Sequence, residues 1–355
     1  MNHRTTRRLA SLRRLVLRPE DSRAGTRTTR PPASVLAQAA LAVCISACGM
    51  AAAMAAEAYP QRPVRLITGS PGSTSDITAR FVAQRLGERW GQQVVVDNRP
   101  GAGGIIGAEI VARAAPDGYT LINGQIGTHA SPQFLFRKLA YDPLRDFVAV
   151  AQLTTSGIAL VVNSQVSARD IREFIAQSLA RAGGMSYGSA GGGTSSQLSA
   201  ELFNQMTGAK LLHIPYKGAG FALTAIVSGE VQAAFLSTTT ISAQVRAGKL
   251  RALAVLSPKR FSAAPEIPTA AEQGYPGIDS EVWFGLLAPA RTPDAIVQKI
   301  SQGVGQVMRS PEARATLIAQ GAEPMPSTAL EFDRFLRTEI AKWGKVIKTA
   351  GIQPN

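Results

Sequence analysis

From Val64 onward, short apolar runs alternate with amphipathic stretches along the chain. "VRLIT" (Val64–Thr68) reads as a strand that breaks into the polar "GSPGSTSD". From Asp76, "DITARFVAQRLGERWG" carries apolar residues at Ile77, Phe81, Val82, Leu86 and Trp90. That is the spacing of a helical stripe, and Gly91 closes it. "QVVVDN" predicts the next strand, "RPGAGG" a turn, "IIGAEIVARAAP" a helix and "YTLING" a third strand. Strand, loop and helix repeated in this order predict an α/β fold with a mainly parallel sheet flanked by helices.

The alternation resumes after "VAVAQLTTSGIALVVN" (Val148–Asn163), a long strand-rich segment. Helix "ARDIREFIAQSLARAG", strand "MSYGS", helix "SSQLSAELFNQMTG", strand "KLLHIPY", helix "GFALTAIVSGE" and strands "VQAAFLS" and "KLRALAVLS" follow. An irregular stretch with Pro265, Pro268 and Pro276 leads to the strand "VWFGLLAPA". Two helices, Asp294–Arg309 and Leu330–Ala350, finish the chain. No repeat with a period of 20–50 residues is visible. Strand-like crossings near 149–163 and 281–290 predict two lobes joined by two hinge strands: residues 59–155, then 156–283, then a return to the first lobe over 284–355.

The first 58 residues do not share this pattern. Residues 1–30 hold nine arginines against Glu20 and Asp21, and Ala33–Ala58 is apolar and rich in small residues. A basic segment, an apolar segment and the A-x-A sites Ala53-Met54-Ala55 and Ala56-Glu57-Ala58 predict an export signal over 1–58. An uncleaved membrane anchor is one alternative. A lipobox at Ile45-Ser46-Ala47-Cys48, with a lipid on Cys48, is another, and the arginine pairs Arg7-Arg8 and Arg13-Arg14 leave the export route open.

Removal of 1–58 takes away both cysteines, nine arginines and three acids, so the net charge of +14 falls by 6 to +8. That excludes disulfide and thiol chemistry in the remainder and suits an anionic ligand or surface. Basic residues are scattered without aromatic interleaving, which argues against nucleic acid.

Candidate chemistry centres on "GMSYGSAGGGTSSQ" (Gly184–Gln197), which contains a Gly-x-Ser-x-Gly at Gly184, Ser186 and Gly188. A nucleophile elbow puts its serine at the turn between strand and helix. Ser186 instead lies inside a strand, and six or more residues of glycine loop separate it from the next helix. The loop lacks the lysine of a phosphate-binding loop, "PGAGGIIGAE" has Ile106 where a dinucleotide fingerprint needs its third glycine, and two histidines make no zinc set. No catalytic residue, cofactor or metal is therefore expected.

What remains is a hydroxyl-rich loop at a helix N-terminus, where free N–H groups and the helix dipole favour an anion. Thr194, Ser195 and Ser196 add hydroxyls; an ordinary helix cap is the alternative. "GSPGSTSDITAR" (Gly69–Arg80) repeats this design, with Asp76 as a helix cap or a ligand contact. "GQIGTHAS" (Gly124–Ser131), "YKGAG" (Tyr216–Gly220) and "LSTTT" (Leu236–Thr240) are further polar loops at the carboxyl ends of strands, the edge where open α/β sheets bind ligands.

Those residues carry a resemblance. "YPQRPVRLIT", "GSTSDITAR", "LGERWGQQVVVDNRPGAGGIIGAEIVARAAPDGYTL", "YDPLRDFVAVA", "YGSAGGGTSSQLSAELF", "HIPYKGAG", "GKLRALAVLSPKR", "EIPTAAEQGYPG" and "WFGLLAPARTP" resemble, in order and nearly end to end, the Bug-type, TctC-like solute receptors of tripartite tricarboxylate transporters. The resemblance implies a periplasmic binding protein of the two-lobed type II, Venus-flytrap fold. It also implies a non-enzymatic monomer that captures a small carboxylate and delivers it to membrane permease subunits. Presentation of the ligand to a membrane sensor kinase is the alternative partner.

Carried over residue by residue, the ligand contacts would be Ser73, Thr74, Ser75 and Asp76; Gly127, Thr128 and His129; Ser189, Ala190, Gly191, Thr194 and Ser195; Lys217 and Gly218; and Ser237 and Thr238. His129 is either a donor to a carboxylate or a satisfied loop histidine. Lys217 either pairs with the ligand or reaches solvent. The glycines of "NRPGAGGIIG" are expected to serve a tight turn. The first loop departs from the family pattern, with Gly69 where a phenylalanine is usual and Ser73 where a second glycine is usual.

Overall fold

The computed structural model describes residues 59–354; the export signal and the lipobox at Cys48 lie outside the described residues. Ten strands form among the described residues: β1 (Val64–Thr68), β2 (Val94–Asn98), β3 (Thr120–Gly124), β4 (Phe147–Asn163), β5 (Met185–Ser189), β6 (Leu211–Pro215), β7 (Ala233–Ser237), β8 (Leu250–Val255), β9 (Glu281–Pro289) and β10 (Glu323–Pro324). They pair as two sheets of the same design. In the first, the order is β2-β1-β3-β9-β4, with β1, β2 and β3 parallel and β9 inserted antiparallel. In the second it is β6-β5-β7-β4-β8, with β5, β6 and β7 parallel and β4 antiparallel. The repeat that no sequence period reveals is thus present in the topology.

β4 belongs to both sheets. Phe147–Gly157 pairs with β9, while Ile158–Asn163 pairs with β7 and β8. A Cβ on Gly157 would lie 2.6 Å from the Phe261 ring, so only glycine fits where the strand changes partners. The return crossing lies beside it, where Leu256 N donates to Ile158 O and Ser280 N to Leu256 O just before β9 begins. β4 is buried almost throughout, as expected of a run apolar on both faces.

The first helices are α1 (Thr74–Trp90), α2 (Ile105–Ala112), the single turn α3 (Pro132–Leu135) and α4 (Ile171–Ala180). Gly91 ends α1 in the left-handed conformation, φ 64°. The buried face of α1 differs from the predicted stripe. Ala79, Val82, Ala83 and Leu86 are inside, whereas Ile77, Phe81 and Trp90 are half-buried, because small side chains let the helix lie close on the sheet. The turn at Gly101–Gly104 has φ of 115°, 67° and 99° at its three glycines, the backbone role expected for them.

Then follow α5 (Ser195–Thr207), α6 (Ala219–Ser228), α7 (Thr238–Arg246), α8 (Asp294–Met308), α9 (Pro311–Ala319) and α10 (Ala329–Thr349). Two differ from the sequence reading. α9 forms a third helix near the end of the chain, started by Ser310 as cap and Pro311 in its first turn. α7 begins at Thr238, inside the stretch read as a polar loop, because the Ser237 side chain caps it. No helix among the described residues is long and apolar enough to cross a membrane.

α10 buries Phe332, Leu336, Ile340, Trp343, Val346 and Ile347, and through them the largest apolar core runs under both sheets. At the crossing this helix approaches Glu281, whose carboxyl accepts a hydrogen bond from Thr155 Oγ1 at 2.7 Å. Burial, the largest influence, pushes the Glu281 carboxyl above the usual range, helped by Glu339 and Glu323; the Thr155 bond and Lys342 offset only part of this. A carboxyl with a raised folded pKa binds its proton more tightly in the fold. It adds stability below its unfolded pKa and withdraws it as pH rises through its folded one. Glu281→Gln, which keeps an acceptor for Thr155, is therefore expected to raise the melting temperature by about 1–3 °C at pH 7.5 and by nothing at pH 4. Melting curves at the two pH values check this; an unchanged or lower value at pH 7.5 refutes it.

Candidate functional site

The loops that follow the parallel strands emerge on one edge of each sheet, and helices begin there. After β1, Ser73 caps α1. Its Oγ donates to Ser70 O at 2.6 Å, lies 2.8 Å from Ser75 Oγ and accepts weakly from Asp76 N. Asp76 is not the cap but the third residue of the first turn. Its carboxylate accepts from Gly72 N (2.9 Å), Arg80 Nε (3.0 Å) and Asn98 Nδ2 (2.8 Å). Burial, the largest influence, raises this carboxyl, but those bonds and the Arg80 charge together hold it below its usual value. Asp76 thus ties the loop to β2 and stays ionised. Asn123 of β3 supports the same loop by donating to Ser75 O at 2.8 Å.

After β3 the chain makes a π-type turn over Ile126–Ala130. Thr128 Oγ1 accepts from Gln125 N at 2.9 Å and lies 2.8 Å from His129 Nδ1, and Tyr141 Oη donates to Thr128 O. His129 is fully buried, edge-on to Phe147 at 4.5 Å between ring centroids. Burial pulls its pKa down to about 3, so the ring is neutral at any ordinary pH. Gly127 packs on the glycine turn after β2.

The second sheet supplies the loop Ala190–Thr194. Gly191 and Gly193 have φ of 125° and 74°, conformations that side chains disfavour. Thr194 occupies the cap position of α5, yet its hydroxyl turns back to Gly191 O at 2.7 Å and makes no cap bond. The first N–H groups of α5 are left to an incoming acceptor. Beside them Ser196 is 3% exposed, and its buried Oγ has no partner among the described residues. α7 shows the same feature: Ser237 caps it, while Thr238 is 3% exposed with its Oγ1 buried and unpartnered. Gly218, φ 138°, starts α6 without a side-chain cap, and Lys217 before it is exposed.

Two contacts bring these groups together across the sheets. Thr74 Oγ1, at the start of α1, lies 3.4 Å from Thr239 Oγ1 in the first turn of α7. Ser131 Oγ, after the π-type turn, donates to Gly193 O at 3.1 Å. The start of α1 at Thr74 therefore meets the first turn of α7 at Thr239, and Ser131, two residues after His129, meets the glycine loop at Gly193 between Ser189 and Ser195. The side chains of Asp76, His129 and Lys217 do not join them: Asp76 is engaged by Gly72, Arg80 and Asn98, His129 is buried against Phe147, and Lys217 is exposed. The sequence alone does not single out Ser131, Thr239, Asn123 or His213 as site residues. Ser131 and Thr239 lie inside the quoted polar loops, which was the available signal.

Ser186 sits mid-strand, and both its N–H and its hydroxyl donate to Gln232 Oε1, at 3.0 and 2.9 Å. Among the described residues the Ser186 hydroxyl is thus engaged by an amide and not by a base. Among the described residues no group of three or more histidines, cysteines or carboxylates is placed to hold a metal. The site consists of neutral donors: hydroxyls, peptide N–H groups and helix N-termini.

Residues 78–352 match the model of the tripartite tricarboxylate transporter family receptor, TctC. The chain belongs to that receptor family. Protein BugT of Bordetella pertussis is 35% identical over 315 residues, covering 88% of this chain and 97% of BugT. Rpa4515 of R. palustris, solved with adipate, is 36% identical with a TM-score of 0.77, covering 84% of this chain and all of that one. MatC from Rhodopseudomonas palustris with bound malate is 33% identical with a TM-score of 0.73, covering 81% of this chain and all of MatC. The Bug-type resemblance and the two-lobed α/β fold are thereby established for this TctC-family receptor. Family members are periplasmic solute-binding proteins, a non-enzymatic family, which accords with the engagement of Ser186 by Gln232.

Proposed function

We propose that the chain is exported to the periplasm, captures a small carboxylate between its lobes as a monomer and hands it to the permease subunits of a tripartite tricarboxylate transporter. One observation carries the reading: buried, unpartnered hydroxyls at the first turns of α5 and α7, the first of them next to N–H groups that no side chain caps. Such groups suit an anion, and relatives solved with adipate and malate support the same ligand class. The lobes are taken as 59–155 with 284–355, and 156–283, in keeping with the change of partners in β4 at Gly157. The contacts are Ser73–Ser75, Gly127 and Thr128, Ser189–Ser196, Gly218 and Ser237–Thr239. A few neutral-to-charged hydrogen bonds of about 1.5–3 kcal/mol each reach micromolar affinity after ordering costs.

A thermal-shift screen of mono-, di- and tricarboxylates, aromatic acids and uncharged amides tests this. A ligand at 100 times its Kd stabilises the fold by about 2.7 kcal/mol. Carboxylates are expected to raise the melting temperature, equally in Ser186→Ala. A response to uncharged compounds alone overturns the anion reading. Co-purification with a sensor domain in place of a permease would overturn the transport role.

A further inference from the structure

Behind the glycine loop lies a polar contact that holding an anion does not by itself explain. His213, on the edge strand β6, stacks on Tyr187 of β5 with centroids 5.0 Å apart and planes 19° from parallel. Its Nε2 is 2.6 Å from Ser189 Oγ, at the end of β5 where the glycine loop begins. Ser189 is fully buried, and its Oγ accepts from Gly191 N at 3.1 Å and reaches Gly191 O at 3.3 Å.

A serine hydroxyl has one proton, so this set has two arrangements. With Nε2 unprotonated, the Ser189 proton goes to the ring and the serine oxygen holds Gly191 N–H. With Nε2 protonated, the ring donates to Ser189 Oγ, and the serine proton turns to Gly191 O. That carbonyl also accepts from Thr194 Oγ1, the residue that precedes the uncapped turn of α5. The imidazolium, which must carry a proton on Nε2, thus imposes the second arrangement on the loop and the helix start together.

We propose that His213 is a positioning residue of the cleft: through Ser189 it sets the glycine loop, and it takes up a proton when an anion binds there. This rests on the reading of the cleft as a carboxylate site.

The surroundings suit such a role. Tyr187 and Ser189 face the ring from β5. Glu201 of α5 is held by Tyr187 Oη at 2.8 Å, and Lys210 and Lys217 flank the two ends of β6. No carboxylate forms an ion pair with His213 among the described residues. Burial lowers its pKa from the ordinary histidine value, so the ligand-free fold holds the ring's second proton less tightly than a free histidine would. His129, held near 3, stays silent over the same range. An anion favours the imidazolium, so affinity rises as pH falls through the His213 range.

Two measurements on the protein test the proposal. Without ligand, the Gly191 amide resonance is expected to follow the midpoint of the His213 ring in an NMR pH titration. In Ser189→Ala the ring still titrates, but the amide no longer follows. With adipate and malate as probes, calorimetry is expected to show a lower Kd at pH 6.0 than at pH 8.0. Proton uptake should accompany binding, and His213→Gln, which keeps a polar partner for Ser189, should flatten the profile. A Gly191 amide indifferent to the ring, or a wild-type pH profile in His213→Gln, overturns the proposal. If neither probe binds at either pH, the carboxylate reading and its proton linkage fail, while the ring-to-loop coupling is still decided by the first measurement.

Discussion

Gly193→Ala is expected to weaken carboxylate capture at least tenfold while the ligand-free protein still folds. Gly193 has φ 74°, where an alanine costs about 1–2 kcal/mol. An added Cβ would also lie 2.3 Å from Leu135 Cδ1 of α3, which follows β3 of the first sheet. The backbone strain falls on every state of the loop, whereas on the proposed lobe division the clash is met when the lobes close on the ligand. It opposes the arrangement in which Ser131 Oγ donates to Gly193 O and Gln197 Oε1 accepts from Gly193 N. A tenfold loss corresponds to about 1.4 kcal/mol. Leu135→Ala in the same chain removes the clash and is expected to recover part of the affinity. Titration calorimetry on wild type, both single variants and the double variant separates the two terms; wild-type affinity in Gly193→Ala would mean these loops do not close on the ligand.

Glu339→Leu is expected to destabilise the fold by about 2–5 kcal/mol, the largest stability effect among these substitutions. Glu339 is 6% exposed, and its Oε2 accepts from the indole N–H of both Trp283 and Trp343, at 2.9 and 2.8 Å. Lys342 Nζ donates to Oε1 at 2.9 Å. Leucine preserves bulk but leaves two buried N–H groups without an acceptor. Trp283 lies on β9, beside the point where the chain crosses between sheets, and Trp343 lies on α10, which braces it. Two of the three tryptophans are therefore reporters of this junction. Urea unfolding followed by fluorescence checks the loss. Glu339→Gln retains one acceptor and should lose less; a loss below about 0.5 kcal/mol in Glu339→Leu would show that the indoles find other partners.

Much of this was legible in the sequence because it depends on neighbours along the chain. The apolar run Val148–Asn163 announced β4, Gly91 announced the end of α1, and the glycines after β2 announced their turn. All three follow from local backbone and burial preferences. α9 went unread although Ser310 and Pro311 signal its start, because nine residues carry too little periodicity. The start of α7 was hidden by threonines that favour loops until Ser237 caps them.

The site divides the same way. The sequence by itself determined its materials: hydroxyls, glycines and strand-to-helix junctions at Ser73–Ser75, Ser189–Ser195 and Ser237–Thr238, with no acid, base or metal set among them. Only the tertiary structure decided how they are used. It set Thr74 against Thr239 and Ser131 against Gly193, pairs far apart in the chain whose meeting depends on β4 running through both sheets. It buried His129, engaged both oxygens of Asp76, left Lys217 in solvent, and put His213 behind Ser189. Residue type fixes what a group can donate or accept; burial and long-range register fix which partner is left for it.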